Sequence, residues 1–228
     1  MVIKLTSRKD ISVGISFPGY LEEGLLKSCP NIPLLEGKPL RQLLHRHIKH
    51  PLIVENDANC FALAEQQLGA GKGKKYVVGL IVGTGIGTGI IANDQLFMGS
   101  MGGAGELGHV HYKDGMSYEE YAAGPGIMKR YLSNGGIREK AEKIFEKKTL
   151  VADKTIKDTI TAISSLCIII IRAYDPEIIV LGGGVSNAPI LKEIQKNIKE
   201  EGFSCKIVRN ELGDGSGSIG AALLALKL

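Results

Sequence analysis

Short apolar runs alternate with longer amphipathic ones along this chain, and Pro, Gly or Asn marks nearly every change between them. Residues 12–17 read as a buried strand stopped by Pro18-Gly19, and a loop rich in Pro, Gly and Asn is expected to run on to Pro33. Leu40, Leu43, Leu44 and Ile48 recur at helical spacing behind Pro39, a suitable first-turn residue, and Pro51 punctuates that helix. Leu52-Ile53-Val54 predicts a short strand leading into Glu55-Asn56-Asp57. An Ala/Leu-rich, Gly-terminated helix over residues 58–68 follows it. Residues 76–82 and 88–92 predict two apolar strands, and the turn Gly83-Thr84-Gly85-Ile86-Gly87 between them is short enough to make a hairpin. Further on, helices are expected over residues 118–131, 138–147 and, longest, 153–174. A buried strand over 178–181 then ends in Gly182-Gly183-Gly184, followed by a helix over 189–199, a strand over 205–208 and a last helix from Ser218. Strands alternating with helices imply α/β layers. The change from short βα units to longer helices puts a boundary near residue 100, so that residues 1–97 hold a first lobe and the start of the second, and 98–228 the remainder. A cleft between the two parts is the natural ligand site.

Composition narrows the class. With 44% hydrophobic and 23% charged residues among 228, the chain can bury a core, which argues against disorder. Aromatics are only 5%, yet there are 30 glycines, which suggests tight turns and close approach of backbone to a ligand. The formal charge of +4 gives no case for nucleic acid, because basic and acidic residues are interleaved except at Gly71-Lys72-Gly73-Lys74-Lys75, which reads as a solvated turn. Cys29, Cys60, Cys167 and Cys205 are far apart, form no CxxC pair and follow no hydrophobic leader, so a reduced, cytoplasmic protein is expected. The longest apolar run, residues 166–171, is far short of the roughly 18 residues of a membrane span.

Three glycine-rich places each follow a predicted strand: residues 83–89, 182–184 and 213–217. Unshielded backbone N–H groups in such turns can converge on an anion, and three of them favour a nucleotide. No Gly-Lys-Ser/Thr occurs, so this is not a P-loop. Residues 215–220 satisfy GxGxxG after a strand, but only eight residues follow, with no second strand and no ribose-binding acid, so the dinucleotide reading fails. Asp57 stands at or just before a helix start, where it can be an N-cap, a general base for a substrate hydroxyl, or both, with Asn56 orienting the substrate. Glu106 and His109 lie three residues apart in a segment poor in side chains, and Glu119 follows at a helix start. With Asn56 and Asp57 they form a set able to hydrogen-bond around a polyol such as a sugar. His109 and His111 do not make a structural zinc site, since no Cys lies between Cys60 and Cys167. Nothing supports a Ser or Cys nucleophile.

Taken in order, these pieces resemble a known family. Pro18-Gly19, Glu55 to Asn59, Gly83 to Gly89, Gly103 to His109, Glu119 to Gly124, Leu181 to Gly184 and Gly213 to Ala221 look like the ordered motifs of the ROK family of repressors and sugar kinases. The resemblance spans nearly the whole chain. It implies the actin-like, hexokinase-type ATPase fold (ribonuclease H-like), with two α/β lobes around a cleft. It also implies ATP-dependent phosphorylation of a hexose or N-acetylated hexose. Under it Asp57 is the catalytic base; Asn56, Glu106, His109 and Glu119 hold the sugar; Gly83, Thr84, Gly85 and Gly87 form a phosphate loop; and Gly182, Gly183 and Gly184 lie against adenosine. ATP with Mg2+ is the implied co-substrate, and a homo-oligomer the implied assembly.

Two departures qualify the resemblance. Kinases of the family carry an Asp-x-Gly-Gly-Thr phosphate loop well upstream of the Pro-Gly motif, whereas only 17 residues precede Pro18 here and none forms that loop. An incomplete N-terminal lobe is therefore expected, with strand 13–17 left as an open edge and MgATP binding impaired, either because the true start lies upstream or because the chain is a degenerate paralogue. The second departure is the absence of a cysteine-rich, zinc-carrying loop: nine residues and no Cys separate His109 from Glu119, so no zinc is expected. The alternative function is a non-catalytic sugar-binding or regulatory protein of the same family.

Overall fold

The computed structural model describes residues 11–22, 24–27, 29 and 32–228. In chain order the strands are β1 (Val13–Phe17), β2 (Tyr20–Glu22), β3 (Leu25–Lys27), β4 (Leu52–Asn56), β5 (Val77–Val82), β6 (Ile86–Ala92), β7 (Gln95–Leu96), β8 (His111–Lys113), β9 (Met116–Ser117), β10 (Ile178–Gly182) and β11 (Lys206–Arg209). The α-helices are α1 (Leu40–His45), α2 (Asp57–Leu68), α3 (Tyr118–Ala122), α4 (Gly124–Ser133), α5 (Ala141–Ile144), α6 (Leu150–Tyr174), α7 (Leu191–Glu200) and α8 (Ser216–Ala225).

The main sheet runs β11-β10-β5-β6-β7, with the first three strands parallel and the last two antiparallel. β5 and β10 are apolar on both faces because helices cover both faces. On one side Leu80, Ile90, Ile179 and Leu181 pack with Ile127, Ile163, Leu166 and Ile170 in the largest core. On the other, α2 lies on the sheet through Phe61, Ala62 and Leu63. Glycines on the sheet let it lie that close: an added Cβ would stand 2.7 Å from the Phe61 ring at Gly79 and 2.9 Å from the Ala58 methyl at Gly87.

A second, thinner sheet pairs β1 with β4 in parallel, register Val13 with Leu52 through Phe17 with Asn56. Its core of Leu26, Cys29, Leu40, Ile48, Leu52 and Val54 is separate from the other two. The last helix returns to cover it. α8 packs on β1, β4 and α2, and backbone meets backbone there, because a side chain at Gly14 would strike the Ala221 carbonyl and one at Gly220 the Cys60 carbonyl.

The hydrophobic pattern placed most elements, with instructive differences. β1 is half-buried rather than buried. The stretch read as a loop as far as Pro33 contains the β2–β3 hairpin and a 3-10 turn at Pro33–Leu35, while Pro30 and Asn31 within it lie outside the described residues, as do residues 1–10 of the expected first lobe. The helix expected over 118–131 is two helices, since Ala123 is extended and Gly124-Pro125 starts a new first turn. The one expected over 138–147 contracts to a single turn, α5.

Candidate active site

The strand-to-helix corner β4–α2 is the centre of the site. Asn56 is the N-cap: its side-chain Oδ1 accepts from the N–H groups of Ala58 (2.9 Å) and Asn59 (3.1 Å), and its Nδ2 donates to the Gly19 carbonyl (3.0 Å). Capping therefore falls to Asn56 rather than to Asp57, which is the first helical residue. The Asp57 carboxylate accepts from Ala58 N–H through Oδ1 (2.9 Å), and apart from its own N–H no further donor among the described residues reaches it. Burial raises its pKa above the ordinary carboxylate value, partly offset by the N–H groups of Ala58 and of Asp57 itself. A carboxylate displaced upward and left with a free oxygen is suited to accept a proton from a neutral hydroxyl.

Asp57 faces a cleft of about 440 Å³ whose other walls include Ser16, Pro18, Phe61, Gly183, Asn187, Asn210, Gly213, Asp214 and Ser216 to Ser218. Two of the three glycine turns thus open on the same space as the candidate base. The third, at the β5–β6 hairpin, meets them: Gly83 N–H donates to the Gly85 carbonyl (2.9 Å), and a Cβ on Gly83 would stand 3.9 Å from the Gly184 nitrogen. Gly183 has φ +85°, and a side chain there would collide with the Val82 backbone at 2.5 Å, so the chain can cross the end of β5 this closely only as glycine. Thr84 is exposed at the tip of the hairpin.

The other polar candidates, Glu106, His109 and Glu119, are not among the residues that line this cleft. Glu106 precedes the 3-10 turn Leu107–His109, and its Oε2 lies 3.4 Å from His109 Nε2, with the imidazole half-exposed. Burial raises the Glu106 pKa; His109 pulls it back, and the charges of Glu119 and Asp57 both push it up again, so the three carboxylates and the imidazole are within electrostatic reach of one another. Glu119 lies in the first turn of α3, whose N-terminus is fixed by a Ser117–Glu120 capping box. Its Oε2 accepts from Ile86 N–H at 2.7 Å, and a Cβ on Gly85 would come within 2.6 Å of that oxygen. Glu119 therefore braces the glycine hairpin, and its charge is felt at Glu106.

The ROK family model matches residues 2–228. The chain belongs to the ROK family. It is 34% identical to the N-acetyl-D-glucosamine kinase of Mannheimia succiniciproducens over 94% of this chain and 80% of that protein. The ROK hexokinase of Thermus thermophilus is 30% identical and superposes with a TM-score of 0.83 over 95% of this chain and 78% of its own. A ROK glucokinase from Streptomyces griseus, solved with glucose and AMPPNP, is 26% identical with a TM-score of 0.84, over 97% of this chain and 83% of its own. The fold is accordingly the actin-like ATPase fold expected from the motifs.

Within this ROK framework, sequence reasoning passed over several polar residues of the cleft. Ser16 gave no signal beyond one polar position in an apolar strand, and Asn187 and Asn210 sit in turns without a motif. Asp214 and Ser216 lie in the third glycine turn, between the glycines that carry its motif. Glu65, inside α2, carried no sign of its partners. Among the described residues no three of His, Cys, Asp and Glu converge as metal ligands would, and no helix is long and apolar enough to cross a membrane.

Proposed function

We propose that this ROK chain transfers the γ-phosphoryl group of MgATP to a hydroxyl of an N-acetylated hexose. The observation that supports the reading is that Asp57 lines a cleft walled by two of the glycine turns and lies close enough to Glu106 for its charge to push that carboxyl's pKa up. The identity of the sugar rests on the N-acetyl-D-glucosamine kinases among its relatives; the unmodified hexoses are the nearest competitors.

In this reading Asn56, Glu106, His109 and Glu119 hold the sugar hydroxyls, and Asp57 accepts the proton of the one that reacts. The freed oxygen attacks the γ-phosphorus, the bond to the β-phosphate bridging oxygen breaks, and ADP leaves with that electron pair. Thr84, Gly85 and Gly87 offer backbone N–H groups to the phosphates, Gly83 shapes the turn through its bond to the Gly85 carbonyl, and Gly182, Gly183 and Gly184 lie against the adenosine. Magnesium enters with ATP as part of the substrate. Residues 1–97 contribute the first lobe and, through β5 to β7, the start of the second, and 98–228 the rest; closure of the first lobe on the second excludes water from the transfer. His109 is held by Glu106 rather than by zinc, and stoichiometric zinc in purified protein would contradict that. The protein works in the cytoplasm as a homo-oligomer, without nucleic acid or membrane as partner.

The test is Asp57→Asn. Turnover with MgATP should fall about 10²–10⁴-fold, the usual contribution of a general base, while sugar binding by titration calorimetry is kept. Equal turnover in the variant removes Asp57 from the reaction. Sugar binding by the unaltered chain without any turnover would instead favour the non-catalytic, regulatory member of the family.

A further inference from the structure

Glu65 is a carboxylate with no solvent exposure, on α2 eight residues after Asp57, or about 12 Å along a helix rising ~1.5 Å per residue. Burying a charge is costly unless donors surround it. Four do. Oε2 accepts from the N–H groups of Ala70 (3.0 Å) and Glu211 (3.1 Å), and Oε1 accepts from the Leu212 N–H (3.0 Å) and the Ser216 hydroxyl (3.1 Å), whose one hydrogen is shared with the Gly213 carbonyl (2.8 Å). Gly69 is part of the same arrangement, since a side chain there would run into the Glu65 carboxylate.

Three of the four donors come from one turn near the other end of the chain, and that turn continues as a wall of the cleft through Gly213, Asp214 and Ser216. The turn is also tied to the main sheet, because Asn210 N–H donates to the Leu181 carbonyl (3.0 Å) and its side chain to Gly213 (3.2 Å). An apolar residue at position 65 would serve packing equally well. It would leave the Glu211 and Leu212 N–H groups facing the core unpaired, and the turn would have to move to find acceptors. The carboxylate therefore serves the turn more than the helix.

We propose that Glu65 is a positioning residue for the nucleotide, holding the Glu211–Ser216 turn to the helix that begins with Asp57, so that the base and this wall of the cleft keep one spacing. The proposal rests on the kinase reading above. Its experiment measures MgATP and sugar separately, by KM and by titration calorimetry, in the full chain and in two variants. Glu65→Gln sets an amide donor against the N–H groups and should raise both the KM and the dissociation constant for MgATP about tenfold, with the sugar constants within about twofold of wild type. Ser216→Ala keeps the carboxylate and removes one donor, and should raise the MgATP constants about threefold. The role is overturned if the MgATP and sugar constants move together in both variants, or if only the melting temperature falls while both sets hold. Should Glu65→Gln fail to fold, Ser216→Ala decides alone, and unchanged MgATP constants overturn the role. A wild-type chain that binds sugar but no MgATP overturns the kinase reading itself and this role with it.

Discussion

The two sheets that meet at the cleft are built to different standards. Every residue of β10 is buried, and Ile81 is the one residue of β5 that is not. Every residue of β1 is half-exposed, and β4 keeps only Leu52 and Val54 inside. The glycine turns hang from the thick sheet, while Asn56 and Asp57 stand at the end of the thin one. Precision at the candidate base is recovered by α2, which starts on the thin sheet and lies along the thick one. The lesson is that a site between unequal layers takes its rigidity from the element that spans both.

The comparison breaks most readily in stability. Leu80→Ala, in the largest core, should cost about 2–5 kcal/mol in urea unfolding, and Ile15→Ala, on half-exposed β1, about 1 kcal/mol. Equal losses would mean that the thin sheet bears as much of the fold as the thick one. A smaller effect tests the corner between them: Asn56→Ala removes two cap bonds and the tie to Gly19 and should cost about 0.5–2 kcal/mol. Asn56→Asp, which keeps the accepting oxygen, should recover most of that in the same unfolding series.

The smallest effect concerns charge facing the corner. Burial and two neighbouring carboxylates hold the Glu106 pKa above the usual 4.5, so between those two values the folded chain binds more protons than the unfolded one. Its contribution to stability therefore falls as pH rises through that window and stays low above it. Glu106→Gln should raise the melting temperature at pH 7, and the gain should vanish below the usual carboxylate pKa, where wild-type Glu106 is neutral in both states. A gain that does not depend on pH would place Glu106 outside the field of Asp57 and Glu119.

Much of this was legible from residue order. Continuous apolar runs marked β5 and β10, a long amphipathic pattern marked α6, and glycine turns after strands marked the cleft. What escaped did so for physical reasons. The β2–β3 hairpin is three residues a side, too short to show alternation among Pro and Gly. α5 keeps only Ala141–Ile144 of a longer helical pattern, the one turn whose apolar residues, Ala141 and Ile144, reach the core, because packing rather than propensity sustains a helix. Asn56 and Asp57 are both good caps, and only the backbone at the end of β4 decided between them. Glu65 looked like one more polar residue in Ala-Glu-Gln-Gln; three of its four partners are 146 to 151 positions away, and periodicity carries no information at that distance.

The return of α8 to the first strand has a consequence for how the molecule is born. Gly14 waits for Ala221, and Cys60 for Gly220, so the amino-terminal strands emerge from the ribosome long before the piece that covers them exists. The thick sheet is likewise short of β11 until near the end of synthesis, yet its central hairpin can form early from local contacts. Assembly of the half with the candidate base is thus tied to completion of translation, and chains that stop early are left with a bare apolar flank for proteases and chaperones to find.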